Sequence, residues 1–117
     1  MAFEFSSAEN GTVCTLYLKG DLMERMLAEP LLVKHQELIA KGFKCFVLNL
    51  KDLRYMNSSG INVLLNLLTR SRNHGGEVVV TELSEKTRQL LVVTKLNTVF
   101  KVTETEEEAL EVFSQNN

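Results

Sequence analysis

Four small residues, Asn57, Ser58, Ser59 and Gly60, separate two of the most apolar stretches of the chain: FKCFVLNL at 43–50 and a leucine-rich run that begins at Ile61. Small hydroxyl residues in such a place suit two kinds of chemistry. One is structural. A serine oxygen can accept a hydrogen bond from the free N–H groups of a helix's first turn, so Ser58 or Ser59 is expected to cap the helix that follows. The other is reactive, because an accessible hydroxyl can act as a nucleophile or receive a modification.

A hydrolytic nucleophile needs a base, and the chain offers none in reach. The strand–turn–serine–helix order is that of a nucleophile elbow, but the G-x-S-x-G pattern fails at Met56. His74 lies sixteen positions beyond Ser58 on the same expected helix, which places it roughly 24 Å away. His35 falls on the apolar face of an earlier helix and reads as a packed core histidine. No glycine-rich phosphate cradle is present, and no His/Cys pair has metal-ligand spacing. Cys14 and Cys45 sit inside apolar strand-like runs without a C-x-x-C pair and are expected to be buried, reduced thiols. The chain is therefore expected to be no enzyme and to carry neither cofactor nor metal.

Modification fits better. A helix N-terminus tolerates a phosphate, because unpaired N–H groups and the positive end of the dipole face it. Phosphoserine there would add about −1.5 to −2 charges without unfolding the chain. At about 6 Å from one partner carboxylate and an effective dielectric near 20, each unit of charge costs roughly 3 kcal/mol, about a hundredfold in affinity. A hydroxyl at this point can thus switch a protein contact. Gly60 is expected to keep the surface low so that another chain can approach closely.

The elements that would position this cluster follow from periodicity. AFEFS and TVCTLYLKG read as strands joined by a tight hairpin at Glu9-Asn10-Gly11. GDLMERMLAEP is a loop or first helical turn. Pro30 then opens a helix whose apolar face carries Leu31, Leu32, His35, Leu38 and Ile39, closed by Lys41-Gly42. FKCFVLNL is a buried strand. Ile61, Leu64, Leu65 and Leu68 mark the face of the next helix, with Asn62, Asn66, Thr69 and Asn73 opposite, and Gly75-Gly76 ends it. GEVVVTEL is another buried strand. Ser84 can cap a helix with Leu90, Leu91, Leu96 and in part Val93 on its apolar stripe, and Asn97 can stop it. FKVTE is a short last strand. Thr103 and Thr105 each precede a Glu by three residues, announcing a final helix through Ala109, Leu110 and Phe113. Glu106, Glu107 and Glu108 read as its solvated first turn.

The order is β-β-α-β-α-β-α-β-α, an α/β class with a mainly parallel sheet and an antiparallel N-terminal edge strand. The 117 residues suit one domain over 1–117. A 44% hydrophobic share allows a core without disulfides or metal, and a net charge of −2 argues against general nucleic-acid binding. No apolar run is long enough for a membrane span, and MAFEFSSAENG does not read as a signal peptide, so a cytoplasmic protein is expected. The N-x-S/T matches at Asn10 and Asn57 are then chance. The loops at the carboxyl ends of the parallel strands gather on one rim, expected to hold Asp21 to Met26, Arg54 to Gly60, and Glu82 to Ser84. Met23, Met26 and Met56 all fall there. They suit either an adaptable binding surface or gap-filling in the core.

These residues resemble STAS domains, in particular bacterial anti-sigma factor antagonists, over essentially the whole chain. VLNLKDLRYMNSSGINVLLNLLTRSRNHGGEVVV is similar to the family's strand, D-S-[ST]-G helix start, apolar helix and Gly-Gly turn, and KGDL at 19–22 to its G-x-[LIV]-[DN] region. The resemblance implies a STAS-like fold. It also implies a partner anti-sigma factor that is a serine kinase, a PP2C-type phosphatase that reverses it, and Ser58 as phosphoacceptor. Unphosphorylated, such a protein binds the kinase and frees the sigma factor. Asn57 departs from the family's usual Asp, which removes a negative charge beside the acceptor.

The partner surface is accordingly expected to include Asp21, Met23 and Met26 on one segment. Met56, Asn57, Ser58, Ser59, Gly60 and Asn62 form a second, with Ser84 beside them. Two readings remain open. The chain is a phospho-switched antagonist with no nucleic acid or membrane span among its partners, or it is an unphosphorylated STAS subunit of a larger assembly, such as a lipid-transport complex or a stressosome-like particle.

Overall fold

Alternating apolar residues and a turn signal start the chain as a hairpin. The computed structural model describes residues 2–114, and in it β1 (Glu4–Asn10) pairs antiparallel with β2 (Val13–Leu22). Asn10 opposes Val13, so the turn itself is Gly11-Thr12, with Gly11 at φ +64°, a conformation glycine adopts without steric cost. A 3-10 turn (Arg25–Ala28) leads into α1 (Glu29–Ala40), followed by β3 (Cys45–Met56) and α2 (Ser58–Asn73). β4 (Glu77–Thr81), α3 (Glu85–Val93), a 3-10 turn (Leu96–Thr98), β5 (Lys101–Thr103) and α4 (Glu106–Ser114) complete the expected order.

The sheet order is β1-β2-β3-β4-β5, with every pair after the first parallel. β3 is apolar on both faces because both are covered. Phe46, Leu48 and Leu50 join Leu31 and Leu32 of α1 and Leu64 and Leu67 of α2 in the main core. Val47 turns the other way and meets Ala109 and Phe113 of α4, together with Val13 and Val79. His35 is fully buried in the main core, its ring 4.5 Å from that of Phe46, as its place on an apolar face implied. Cys14 is buried, whereas Cys45 is only half-buried at the start of β3. Both are free thiols.

Several elements depart from the sequence reading. β3 does not stop at Leu50 but runs to Met56, so Arg54 to Met56 are strand and not loop. Two extra residues make this possible. Between the pairs Tyr17↔Asn49 and Lys19↔Asp52, and again between Gly20↔Leu53 and Asp21↔Tyr55, β3 advances one residue more than β2. Such bulges let Leu50 and Leu53, three apart, both face the main core. β4 pairs with β3 only as far as Asn49, so the ends of β2 and β3 continue toward the rim as a two-stranded ribbon.

α3 ends at Val93, and Lys95 at φ +62° turns the chain off the helical path before Leu96 and Asn97. The expected stripe is therefore cut before Leu96, and within the helix Leu91 is buried while Val93, about 200° further round, is 78% exposed. Of the two Thr-x-x-Glu boxes, only Thr105 forms one. Its Oγ1 accepts from the Glu108 N–H at 3.1 Å, and Glu108 accepts from the Thr105 N–H at 3.2 Å. Thr103 Oγ1 instead lies 3.0 Å from Thr81 Oγ1 and 2.9 Å from the Thr105 carbonyl, one of which takes its single hydrogen. Glu106 is half-buried and engaged: its carboxylate accepts from the Tyr17 hydroxyl at 3.0 Å and from Asn49 Nδ2 at 2.9 Å, tying α4 across β2 and β3.

Candidate functional site

The ribbon of β2 and β3 delivers its last pair, Leu22 and Met56, to the rim, and the chain turns at once into α2. Neither serine caps that helix. Asn57 does, at φ −117° and ψ −166°, its Oδ1 accepting from the Gly60 N–H at 3.1 Å. Asparagine ranks with serine as a cap, and it carries a second group that serine lacks. Its Nδ2 donates to the Met23 carbonyl at 3.0 Å, which joins the start of α2 to the segment that leaves β2.

Because Asn57 supplies the cap, Ser58 becomes the first residue of α2 and its side chain is exposed; no described residue hydrogen-bonds its hydroxyl. Ser59 is half-buried and Asn62 is exposed on the outer side of the helix. Gly60 has a different role from the one its size suggested. It is buried, and a Cβ there would lie on the Leu22 carbonyl oxygen and 2.5 Å from Met56 Cγ. The glycine serves an internal approach of helix to strand, not the approach of another chain.

The methionines divide between the two roles open to them. Met23 and Met26 are 42% and 77% exposed, with Leu27 beside them at 47%. Met56 is half-buried and packs on the main core. Asp21 is half-buried in β2, paired with Tyr55. Ser84 caps α3, accepting from the Thr87 N–H at 3.2 Å and donating to Thr87 Oγ1 at 3.1 Å, so its hydroxyl is engaged. Glu82 turns from the rim to accept from the Glu106 N–H at 3.0 Å.

The structure gives a shared arrangement to Arg54 and Tyr55, which the expected rim already held, and adds Lys86, which lay outside it. Tyr55 is 43% exposed, with the Arg54 guanidinium 5.0 Å and the Lys86 ammonium 4.7 Å from its ring centroid. Arg54 and then Lys86 hold the Tyr55 phenol below its usual pKa. These three line a groove of about 60 Å³ with Met56, Thr87 and Leu90. That volume holds about two waters, against the several hundred Å³ of a small-molecule site. The sequence signal was Arg54-Tyr55 directly before Met56, obscured by reading this stretch as loop.

The rim therefore gathers Met23 and Met26, the Ser58 turn and the Arg54–Tyr55–Lys86 group around the end of one ribbon. It presents a hydroxyl near apolar and cationic side chains, with His35 buried in the core and His74 at the far end of α2. No helix among the described residues is long and apolar enough to cross a membrane.

Comparison with known proteins agrees with this architecture. The STAS domain profile matches residues 5–109. A candidate anti-sigma factor antagonist of Thermotoga neapolitana, a homolog of TM1081, is 29% identical over 75 residues, covering 64% of this chain and 66% of that protein, just under two thirds of its length. The crystal structure of the Thermotoga maritima protein TM1081, likewise a candidate antagonist, superposes with a TM-score of 0.80 at 26% identity over 92% of each chain. The anti-sigma factor antagonist SpoIIAA in its unphosphorylated form gives a TM-score of 0.73 at 21% identity, over 97% of this chain and 98% of that one. Its phosphorylated form, from Bacillus, gives 0.71 at 22% identity, over 96% and 99%. At that identity the likeness to SpoIIAA is one of fold. With a profile match over nearly all of its sheet and helices, the chain belongs to the STAS domain family.

Proposed function

We propose that this chain is an anti-sigma factor antagonist whose rim binds an anti-sigma factor with serine kinase activity, and that phosphate on Ser58 breaks the contact. A PP2C-type phosphatase resets the switch. The observation that carries the reading is the division of labour at the start of α2. Asn57 takes the capping duty, which leaves the Ser58 hydroxyl exposed and unengaged on the turn that Asn57 bonds to Met23. A phosphate there meets the helix N-terminus of its own chain without strain. For a partner seated on the rim, it places about −1.5 to −2 charges in a contact that must exclude water. The names of the relatives support the same reading: they are antagonists or candidate antagonists, and SpoIIAA is recorded both with and without phosphate.

The test compares Ser58→Asp with Ser58→Ala. Both keep the fold, since acids are favourable in a first helical turn. Ser58→Asp is expected to weaken binding of the anti-sigma factor by ten- to a hundredfold, while Ser58→Ala binds as the wild type does. Equal affinities for wild type and Ser58→Asp would contradict the proposal. Phosphopeptide mass spectrometry of natively purified protein separates this role from that of a constitutive assembly subunit, in which Ser58 would carry no phosphate.

A further inference from the structure

Met23 to Leu27 leave the end of β2 as a strap with exposed apolar side chains, and little in their own sequence fixes them. The strap includes a 3-10 turn of only four residues, whose N-cap Glu24 provides no side-chain bond. Two contacts hold the strap's origin to the start of α2. The Leu22 carbonyl lies against Gly60 Cα, where only a glycine leaves room. The Met23 carbonyl accepts from Asn57 Nδ2 at 3.0 Å. Successive carbonyls of one segment are thus pinned to the turn that carries Ser58.

Resting on the switch reading above, we infer that Asn57 is a positioning residue for partner recognition: its carboxamide latches the strap to the Ser58 turn, so that Met23, Met26 and the phosphoacceptor present one surface. The chemistry of the side chain makes this specific to an amide. Oδ1 caps the Gly60 N–H while Nδ2 donates to Met23. A carboxylate at position 57 accepts but cannot donate. It would cap α2 equally well and would face the Met23 carbonyl oxygen with like charge. Serine would cap and release the strap without adding charge.

Three substitutions test the inference. Amide hydrogen exchange is measured on the free chain at Leu27, whose N–H bonds to the Glu24 carbonyl at 3.2 Å, and at Ile61, whose N–H bonds to the Asn57 carbonyl at 2.9 Å. In Asn57→Ser, Leu27 is expected to exchange roughly two- to tenfold faster, the equivalent of one lost hydrogen bond. In Asn57→Asp the gain is larger. Ile61 keeps its wild-type exchange in both, since both side chains cap. Unchanged exchange at Leu27 would overturn the latch, and equal acceleration at Ile61 would reduce Asn57 to a plain cap. Recognition is read with Met26→Ala. Met26 is 77% exposed, so its truncation leaves folding unaffected. This variant is expected to bind about five- to tenfold more weakly to the anti-sigma factor that Ser58→Asp loses. Wild-type affinity for Met26→Ala would remove the strap from the recognition surface and overturn that half. If instead Ser58→Asp binds like wild type, the switch reading fails while the exchange result still decides the latch.

Discussion

His35 allows a quantitative prediction of how stability depends on pH. It is fully buried between α1 and α2, and its Nε2 lies 3.0 Å from Ser71 Oγ. The single hydroxyl hydrogen of Ser71 goes to the Leu67 carbonyl at 2.8 Å, so Nε2 carries the proton and donates to Ser71. Nδ1 is then the bare nitrogen, buried without a hydrogen-bond partner among the described residues. Protonating it would create a buried donor with no acceptor. Burial first, then the charges of Arg70 and His74, lower its pKa from 6.5 to about 4. The unfolded chain therefore binds more protons than the folded one between those values. Stability is full above about pH 7 and falls as the pH drops through 6.5 toward 4. At 1.36 kcal/mol per pH unit the whole loss is about 3 kcal/mol, of which about 2 kcal/mol has gone by pH 5. Urea denaturation at pH 8, 7, 6 and 5 measures it, with His35→Gln as the reference, since Gln keeps an N–H for Ser71 and does not titrate. The wild type is expected to lose about 2 kcal/mol more than His35→Gln between pH 8 and pH 5. Parallel stability curves for the two would refute the assignment of a buried, neutral His35.

Gly60→Ala weighs helix propensity against space: alanine gains about 1 kcal/mol in a helix, but its Cβ meets the Leu22 backbone, and overpacking costs 1–3 kcal/mol or more. A net destabilisation of about 1–2 kcal/mol by chemical denaturation is expected, and a stabilised variant would contradict the close approach. Thr105→Ala removes the capping box of α4 and is expected to cost about 1 kcal/mol in the same assay. The two tyrosines should titrate in separate steps by ultraviolet absorbance, Tyr55 below the usual phenol range and Tyr17 above it, since burial and then the Glu106 carboxylate raise Tyr17. Lys86→Ala should move the lower step up and Glu106→Gln the upper step down; a single unresolved step would count against both environments.

The sequence made the helices and the turn that carries Ser58 legible for simple reasons. Leu64 and Leu68 repeat at the helical period, and a run of small residues between apolar segments marks a strand-to-helix turn. It hid what depends on neighbours distant in the chain. The β3 bulges are registered only against β2, so the strand was expected to end with its apolar run at Leu50. The roles of Asn57 and Gly60 depend on the Leu22 and Met23 carbonyls, more than thirty positions away. Glu106 read as one acid among three because nothing local shows that Tyr17 and Asn49 wait across the sheet. Val93 follows Leu90 by three residues but buried Leu91 by two, about 200° around the helix, so it ends α3 on the exposed side.

The strand order β2-β3-β4-β5 has a consequence for what can be bound. Each parallel strand is laid down beside its predecessor and always on the same side. With right-handed crossovers, the three connecting helices stack along one face in sequence order. Open α/β sheets hold nucleotides where the winding reverses, because two neighbouring loops there diverge and leave a crevice. This sheet never reverses, so its upper edge is a closed ledge of adjoining loops. Such a ledge lacks the crevice that a reversed winding opens, and under the proposed function it is the shelf on which a protein partner would rest.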